Sequence, residues 1–169
     1  MTLITVFRAD KRRFETGQSI TTAGEFADRN PDGRRLEELF DSSRPLGKPA
    51  RIGSLFLFEN CRVAELHWAK MTGGILYECA INPSAIAHRG DMRLVDIAGE
   101  ALRKNNDPLP YIGGYWAGTG TEKPRWELLI AEAKVTRVIC DDQLQRQGVL
   151  VGRLLPESAF SNTDSKALS

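Results

Sequence analysis

With 169 residues, 41% of them hydrophobic and 27% charged, the chain has the size and composition of one domain with its own core, and a division into two domains is not expected. A formal net charge of +1 excludes a global electrostatic pull toward nucleic acid or membrane and leaves only short basic clusters, Lys11-Arg12-Arg13 and Arg34-Arg35, whose ordinary reading is solvated surface. Three widely spaced cysteines, Cys61, Cys79 and Cys140, carry no zinc-type or disulfide-framework spacing, and no apolar run reaches membrane-spanning length.

The first strand is expected over Leu3–Phe7, where Ile4, Thr5 and Val6 supply β-branched residues. A turn and a short extended piece follow over Phe14–Ile20. Residues 21–35 are polar, contain Asn30-Pro31-Asp32-Gly33 and read as a surface loop. A short helix is expected over Arg35–Asp41, with Leu36, Leu39 and Phe40 on one face. After a loop over residues 45–53, Ser54–Phe58 reads as a buried strand. A helix follows from about Arg62 to Lys70, closed by Gly73-Gly74. Ile75–Ile81 is a further strand.

Arg89-Gly90-Asp91 reads as a turn, with Asp91 capping a helix over residues 92–104 whose stripe is Leu94, Ile97, Ala98, Ala101 and Leu102. Pro110–Thr121 is rich in glycine and aromatics and is expected as a loop. Two closing strands lie near 126–131 and 133–140, and residues 143–156 read as a strand or loop. The sum is an α+β domain over residues 1–156, with six or seven short strands and two or three helices. Residues 157–169 are expected to be a disordered tail.

Three residues stand out by type and order: Arg8 at the end of the first strand, Ser54 opening a middle strand and Glu127 opening a late one in Trp126-Glu127-Leu128-Leu129-Ile130. A carboxylate at a strand entrance combines access with anchorage, which catalytic groups need. With Phe7-Arg8, Ser54-Leu55-Phe56, the small-then-aromatic pair Ala64 and Trp68, Gly74–Glu78 and the following Lys134-Val135, this ordered set resembles the mono-ADP-ribosyltransferase superfamily over roughly residues 3–140. Small bacterial members have similar lengths.

The resemblance implies a split β-sheet core, NAD as co-substrate, and transfer of ADP-ribose to a protein, nucleic acid or small molecule. Glu127 would stabilise the oxocarbenium character that develops as nicotinamide leaves. Ser54 would position that carboxylate or the nicotinamide ribose. Arg8 would hold a phosphate or ribose with its planar fork of donors, and Arg51 is a further phosphate candidate. Phe56 or Trp116 would stack on the nicotinamide.

Two departures shape the expectation. Arg125 stands two positions before Glu127, where members that modify arginine carry an acid or amide, so arginine is not the expected acceptor. Ser54 is followed by Leu55-Phe56 rather than by the family's Ser-Thr-Ser run. The alternatives are a binding or regulatory module that keeps the fold without the chemistry, and an acceptor-independent NAD glycohydrolase toxin with an antitoxin or immunity partner. The plain structural alternative for Glu127 is a cross-strand ion pair with Arg125, Lys134 or Arg137. With His67 and His88 as the sole histidines, no metal site is expected. The N-terminus carries no basic-then-apolar leader pattern, and a cytoplasmic location is expected.

Overall fold

A computed structural model describes residues 2–22 and 31–160, with side chains in the second stretch from residue 33 onward. In chain order the elements are β1 (Ile4–Asp10), β2 (Ser19–Thr21), α1 (Pro31–Ser42), β3 (Leu55–Phe58), α2 (Cys61–Lys70) and β4 (Ile75–Ile81). After a 3-10 turn at Pro83–Ala85 come β5 (His88–Asp91), α3 (Met92–Arg103), α4 (Leu109–Trp116), β6 (Trp126–Ile130), β7 (Glu132–Cys140) and α5 (Gln143–Leu150). The described residues end just beyond a second 3-10 turn, Glu157–Ala159.

The strands form one seven-stranded sheet in the order β2-β7-β4-β1-β3-β6-β5, and every pairing is antiparallel. β1 runs in register with β4 from Ile4↔Ile81 to Asp10↔Ile75. It meets β3 only at Phe7↔Phe58. The sheet is therefore two wings, β2-β7-β4-β1 and β3-β6-β5, joined at a narrow seam.

Side chains alternate across each strand, so each wing has two faces. One face carries Val6, Leu57, Tyr77, Cys79, Leu128 and Val135, all fully buried, and its cluster is drawn from the strands without a helix. Surfaces that apolar need a cover, and here the two wings cover each other. The other face is covered by helices. Phe7, Phe58 and Leu76 pack under Ala64 and Trp68 of α2 and Val149 of α5. Leu129 packs under Phe40 of α1, Leu94 and Ala98 of α3, and Ile112 and Tyr115 of α4.

Local signals explain most boundaries. The Asn60 side chain accepts from the Arg62 and Val63 amides and starts α2. Gly73 takes φ 77° beyond its end, as expected of the Gly73-Gly74 pair. Asp91 accepts from the Arg93 amide and starts α3, and its other contacts, to the Thr121 and Arg125 amides, tie the α4–β6 connection to the same carboxylate. These three amides outweigh the opposing effect of burial and hold the Asp91 carboxyl below its usual value.

Five expectations are corrected. His88–Asp91 is a strand, because pairing with β6 supplies partners for a segment whose composition reads as a turn. Leu109–Trp116 is a helix despite Gly113-Gly114: Ile112, Tyr115 and Trp116 are buried by it, which outweighs the helix penalty of glycine, about 1 kcal/mol each. Gly114 also admits α3 closely, since a Cβ there would lie 3.3 Å from Leu94 Cδ1. Gln143–Leu150 is a helix capped by Asp142, and with α4 it brings the α-helices among the described residues to five, against the two or three expected. Helix α1 begins at Pro31, earlier than expected, as suits proline in a first turn; the rest of the expected loop, 23–30, lies outside the described residues. Of the expected tail, residues 157–160 are ordered: Arg62 grips Glu157, and Phe160 packs edge-on against Phe7 at 6.1 Å. Residues 161–169 lie outside the described residues.

Candidate functional site

Where β1 and β3 part, a cleft of about 390 Å³ opens. Arg8, Asp10, Lys11 and Arg12 form its polar end. Ser54 and the apolar residues Ile52, Phe56 and Met71 also line it. Arg8, from one segment, and Ser54 and Phe56, two positions apart in another, all expected as site residues, thus share one cleft.

The polar end is organised by Asp10. Its Oδ2 accepts from Arg8 Nε at 2.8 Å, from Arg8 Nη2 at 2.6 Å and from Arg12 Nη2 at 2.9 Å. Its Oδ1 accepts from the Arg12 amide at 2.9 Å and from Arg12 Nε at 3.1 Å. Burial alone would raise the Asp10 carboxyl; the hydrogen bonds from Arg12 and the charge of Arg8 outweigh it and hold the group below its usual range. Arg8 Nη1 donates to the Phe56 carbonyl at 2.8 Å, across the seam. Arg8 is therefore a brace between the wings, and only 15% of its side chain is exposed. Burial pulls its guanidinium below the ordinary arginine value against the opposing pull of Asp10.

Ser54 is buried, and its Oγ donates to the Ala50 carbonyl at 2.7 Å. Its amide donates to the Arg51 carbonyl at 3.0 Å. These bonds close the turn that presents Arg51.

Glu127 is not in the cleft. The registers Phe7↔Phe58 and Phe58↔Glu127 place Phe7, Phe58 and Glu127 on one face of the sheet, so Arg8, next to Phe7, points from the opposite face, whereas Phe56, two positions before Phe58, stands on the Glu127 side and is separated from that carboxylate by Arg51. Glu127 is 2% exposed. Its Oε1 accepts from Arg51 Nη1 and, at 2.6 Å, from the Tyr115 hydroxyl. Its ion-pair partner is thus Arg51, not Arg125, Lys134 or Arg137; Arg125 pairs with Asp96 and Arg137 with Glu78.

Arg51 is equally committed. Its Nε donates to Glu37 Oε2 at 3.0 Å, and Nη1 donates to the Tyr115 hydroxyl at 2.6 Å. The guanidinium lies 5.0, 5.0 and 4.9 Å from the ring centroids of Phe40, Phe56 and Tyr115. Burial by itself would favour proton loss, but Glu127, Tyr115 and Glu37 reverse it and keep Arg51 firmly cationic. Burial, then the neighbouring Glu127 charge, raise the Tyr115 hydroxyl well above its usual value. Trp116 is buried too: its Nε1 donates to the Phe40 carbonyl at 3.0 Å, and its ring packs 5.0 Å from His88. His88 lies on β5, with Nε2 3.0 Å from the Tyr115 carbonyl.

Of the six expected residues, the structure gathers Arg8, Ser54 and Phe56 in the cleft and places Glu127, Arg51 and Trp116 in the packed layer behind Phe56. Lys11 and Arg12, which the sequence reads as part of a solvated basic cluster, and Asp10, which it does not mark, are cleft residues too. Part of the signal existed: Arg8 and Asp10 alternate at the two-residue period of β1, which puts like-facing groups together, whereas Arg12 is brought to Asp10 by the bend beyond the strand. Among the described residues, no group of three or more His, Cys, Asp and Glu side chains is arranged to hold a metal, and no helix is long and apolar enough to cross a membrane. No protein-family model matches the chain, and no curated protein matches its sequence.

Proposed function

We propose that the chain binds a dinucleotide of the NAD class in the cleft between β1 and β3, as a binding module. The observation that carries this reading is that Arg8 and Phe56, 48 residues apart, meet Ser54 at one opening where the sheet divides. The cleft offers cationic donors for a phosphate from Arg8, Lys11 and Arg12 and has Phe56 in its wall, and its volume lies in the range of small-molecule sites. The antiparallel sheet with its single β1–β3 register position is compatible with the split core of the ADP-ribosyltransferase resemblance. The binding reading is preferred to catalysis because Glu127, the carboxylate that the chemistry needs, is neutralised by Arg51 and shielded from the cleft.

Calorimetry on the full chain tests it. Saturable heat with NAD at or below about millimolar concentration is expected, weakened in Phe56→Ala. Folded protein that takes up no NAD at that concentration sinks the reading.

One observation favours a second reading, NAD-dependent ADP-ribosyl transfer to an acceptor other than arginine. Arg51 touches both Glu127 and the ring of Phe56, so the carboxylate lies a single side chain behind the cleft wall. Movement of Arg51 would free Glu127 to stabilise an oxocarbenium-like transition state. Incubation with labelled NAD and candidate acceptors separates the readings: transfer by the parent chain that is lost in Glu127→Ala supports catalysis. Nicotinamide release without an acceptor supports hydrolysis instead.

A further inference from the structure

We infer that the polar end of the cleft is a pre-set subsite for a phosphate or diphosphate group, in which Arg12, backed by Lys11, makes the anion contact while Arg8 serves as the brace behind it. The inference rests on the dinucleotide reading for the identity of the whole ligand, and it names the group of that ligand which is gripped and the residue that grips it.

The donors decide between the two arginines. In Arg8, Nε, Nη1 and Nη2 each already donate, to Asp10, the Phe56 carbonyl and Asp10. In Arg12, Nε and Nη2 donate to the two oxygens of Asp10, and Nη2 also donates to the Thr21 carbonyl at 3.0 Å. Arg12 Nη1 takes part in none of these bonds. The side chain of Arg12 is 38% exposed, more than twice the 15% of Arg8. An anion entering the cleft therefore meets Arg12 before Arg8.

Arg12 is also held still before any ligand arrives. Its guanidinium lies 5.0 Å over the ring of Phe14. Its carbonyl accepts from the buried Tyr77 hydroxyl at 2.9 Å, and the same hydroxyl accepts from the Phe14 amide at 2.9 Å. A planar fork fixed by a carboxylate, a ring and its own backbone loses little rotamer freedom on binding. The Asp10 charge does not oppose an anion strongly, because five donors from Arg8 and Arg12 already surround it. Three cations against that one carboxylate leave this end of the cleft positive.

Titration of the full chain with inorganic pyrophosphate, ADP-ribose, NAD and phosphate-free nicotinamide riboside tests the subsite. Arg12→Ala is expected to weaken pyrophosphate and ADP-ribose binding about tenfold or more, as loss of a charge-assisted contact does, and to leave nicotinamide riboside unaffected. Arg12→Lys, which keeps the charge without the fork, is expected to restore part of the loss. Unchanged pyrophosphate and ADP-ribose affinity in folded Arg12→Ala overturns the subsite, as does wild-type pyrophosphate binding insensitive to salt. Arg12-dependent pyrophosphate binding without NAD binding leaves the subsite standing and removes the dinucleotide reading. NAD binding indifferent to Arg12 does the reverse.

Discussion

Arg8 donates to the carbonyl oxygen of Phe56 at 2.8 Å and so fastens β1 to β3 beyond the one position at which the two strands are in register. The bond holds the wings at the distance that defines the cleft. It also uses a donor of the side chain that the sequence order marks as a ligand contact, which is why the proposed subsite gives the anion contact to Arg12.

Replacing Arg8 by Ala is expected to destabilise the chain by roughly 2–4 kcal/mol, because a buried charge-assisted brace is lost and Asp10 keeps only Arg12. Arg8→Lys is expected to fall between, since a lysine cannot donate to Asp10 and Phe56 as a fork. Urea unfolding at constant pH measures both.

The Arg51–Glu127 pair gives a second expectation. Arg51→Met alone leaves Glu127 buried without its cation, at a cost of about 3–5 kcal/mol. Adding Glu127→Leu removes the stranded carboxylate and is expected to recover a large part of that loss. A double-mutant cycle by denaturant unfolding measures the coupling; additivity of the two single changes would contradict the buried pair.

Asp10 sets a pH dependence. Its carboxyl is lowered in the folded chain, so the unfolded chain binds the proton more readily. Its contribution is therefore fully present above the unfolded value, 3.8, and is lost as pH falls from there through the lower folded value. Asp10→Asn is expected to be less stable at neutral pH and to show a shallower loss of stability below about pH 4. Thermal melting of both proteins across that window decides it.

Gly90 lies beneath Tyr115, and a Cβ there would stand 2.3 Å from Tyr115 Cε2. Gly90→Ala is expected to push the ring away, weaken its bond to Glu127 and destabilise by about 1–3 kcal/mol. Near-ultraviolet circular dichroism reports the displaced tyrosine and unfolding reports the loss. A variant with parent-like spectrum and stability would contradict this packing.

Legibility followed how local the signal is. β1, β3, β4, β6 and β7 announce themselves by β-branched and apolar runs, and α3 by Asp91 followed by an apolar stripe. β5 is hidden because Arg89-Gly90-Asp91 has turn composition, and only its partner β6 makes it a strand. α4 is hidden by Gly113-Gly114, whose helical cost is met by burying Tyr115 and Trp116. For the site, the residue types at positions 8, 54 and 56 were readable, whereas the commitment of Arg51 to Glu127, 76 residues away, was not.

The sequence by itself determined an α+β domain, its main strands and the chemical character of the cleft residues, because periodicity, capping and charge act within a few neighbouring positions. The tertiary structure alone decided which side chains share a space. Register sets the face on which each strand residue stands, and a shift of one position separates Arg8, at the cleft, from the face that buries Glu127.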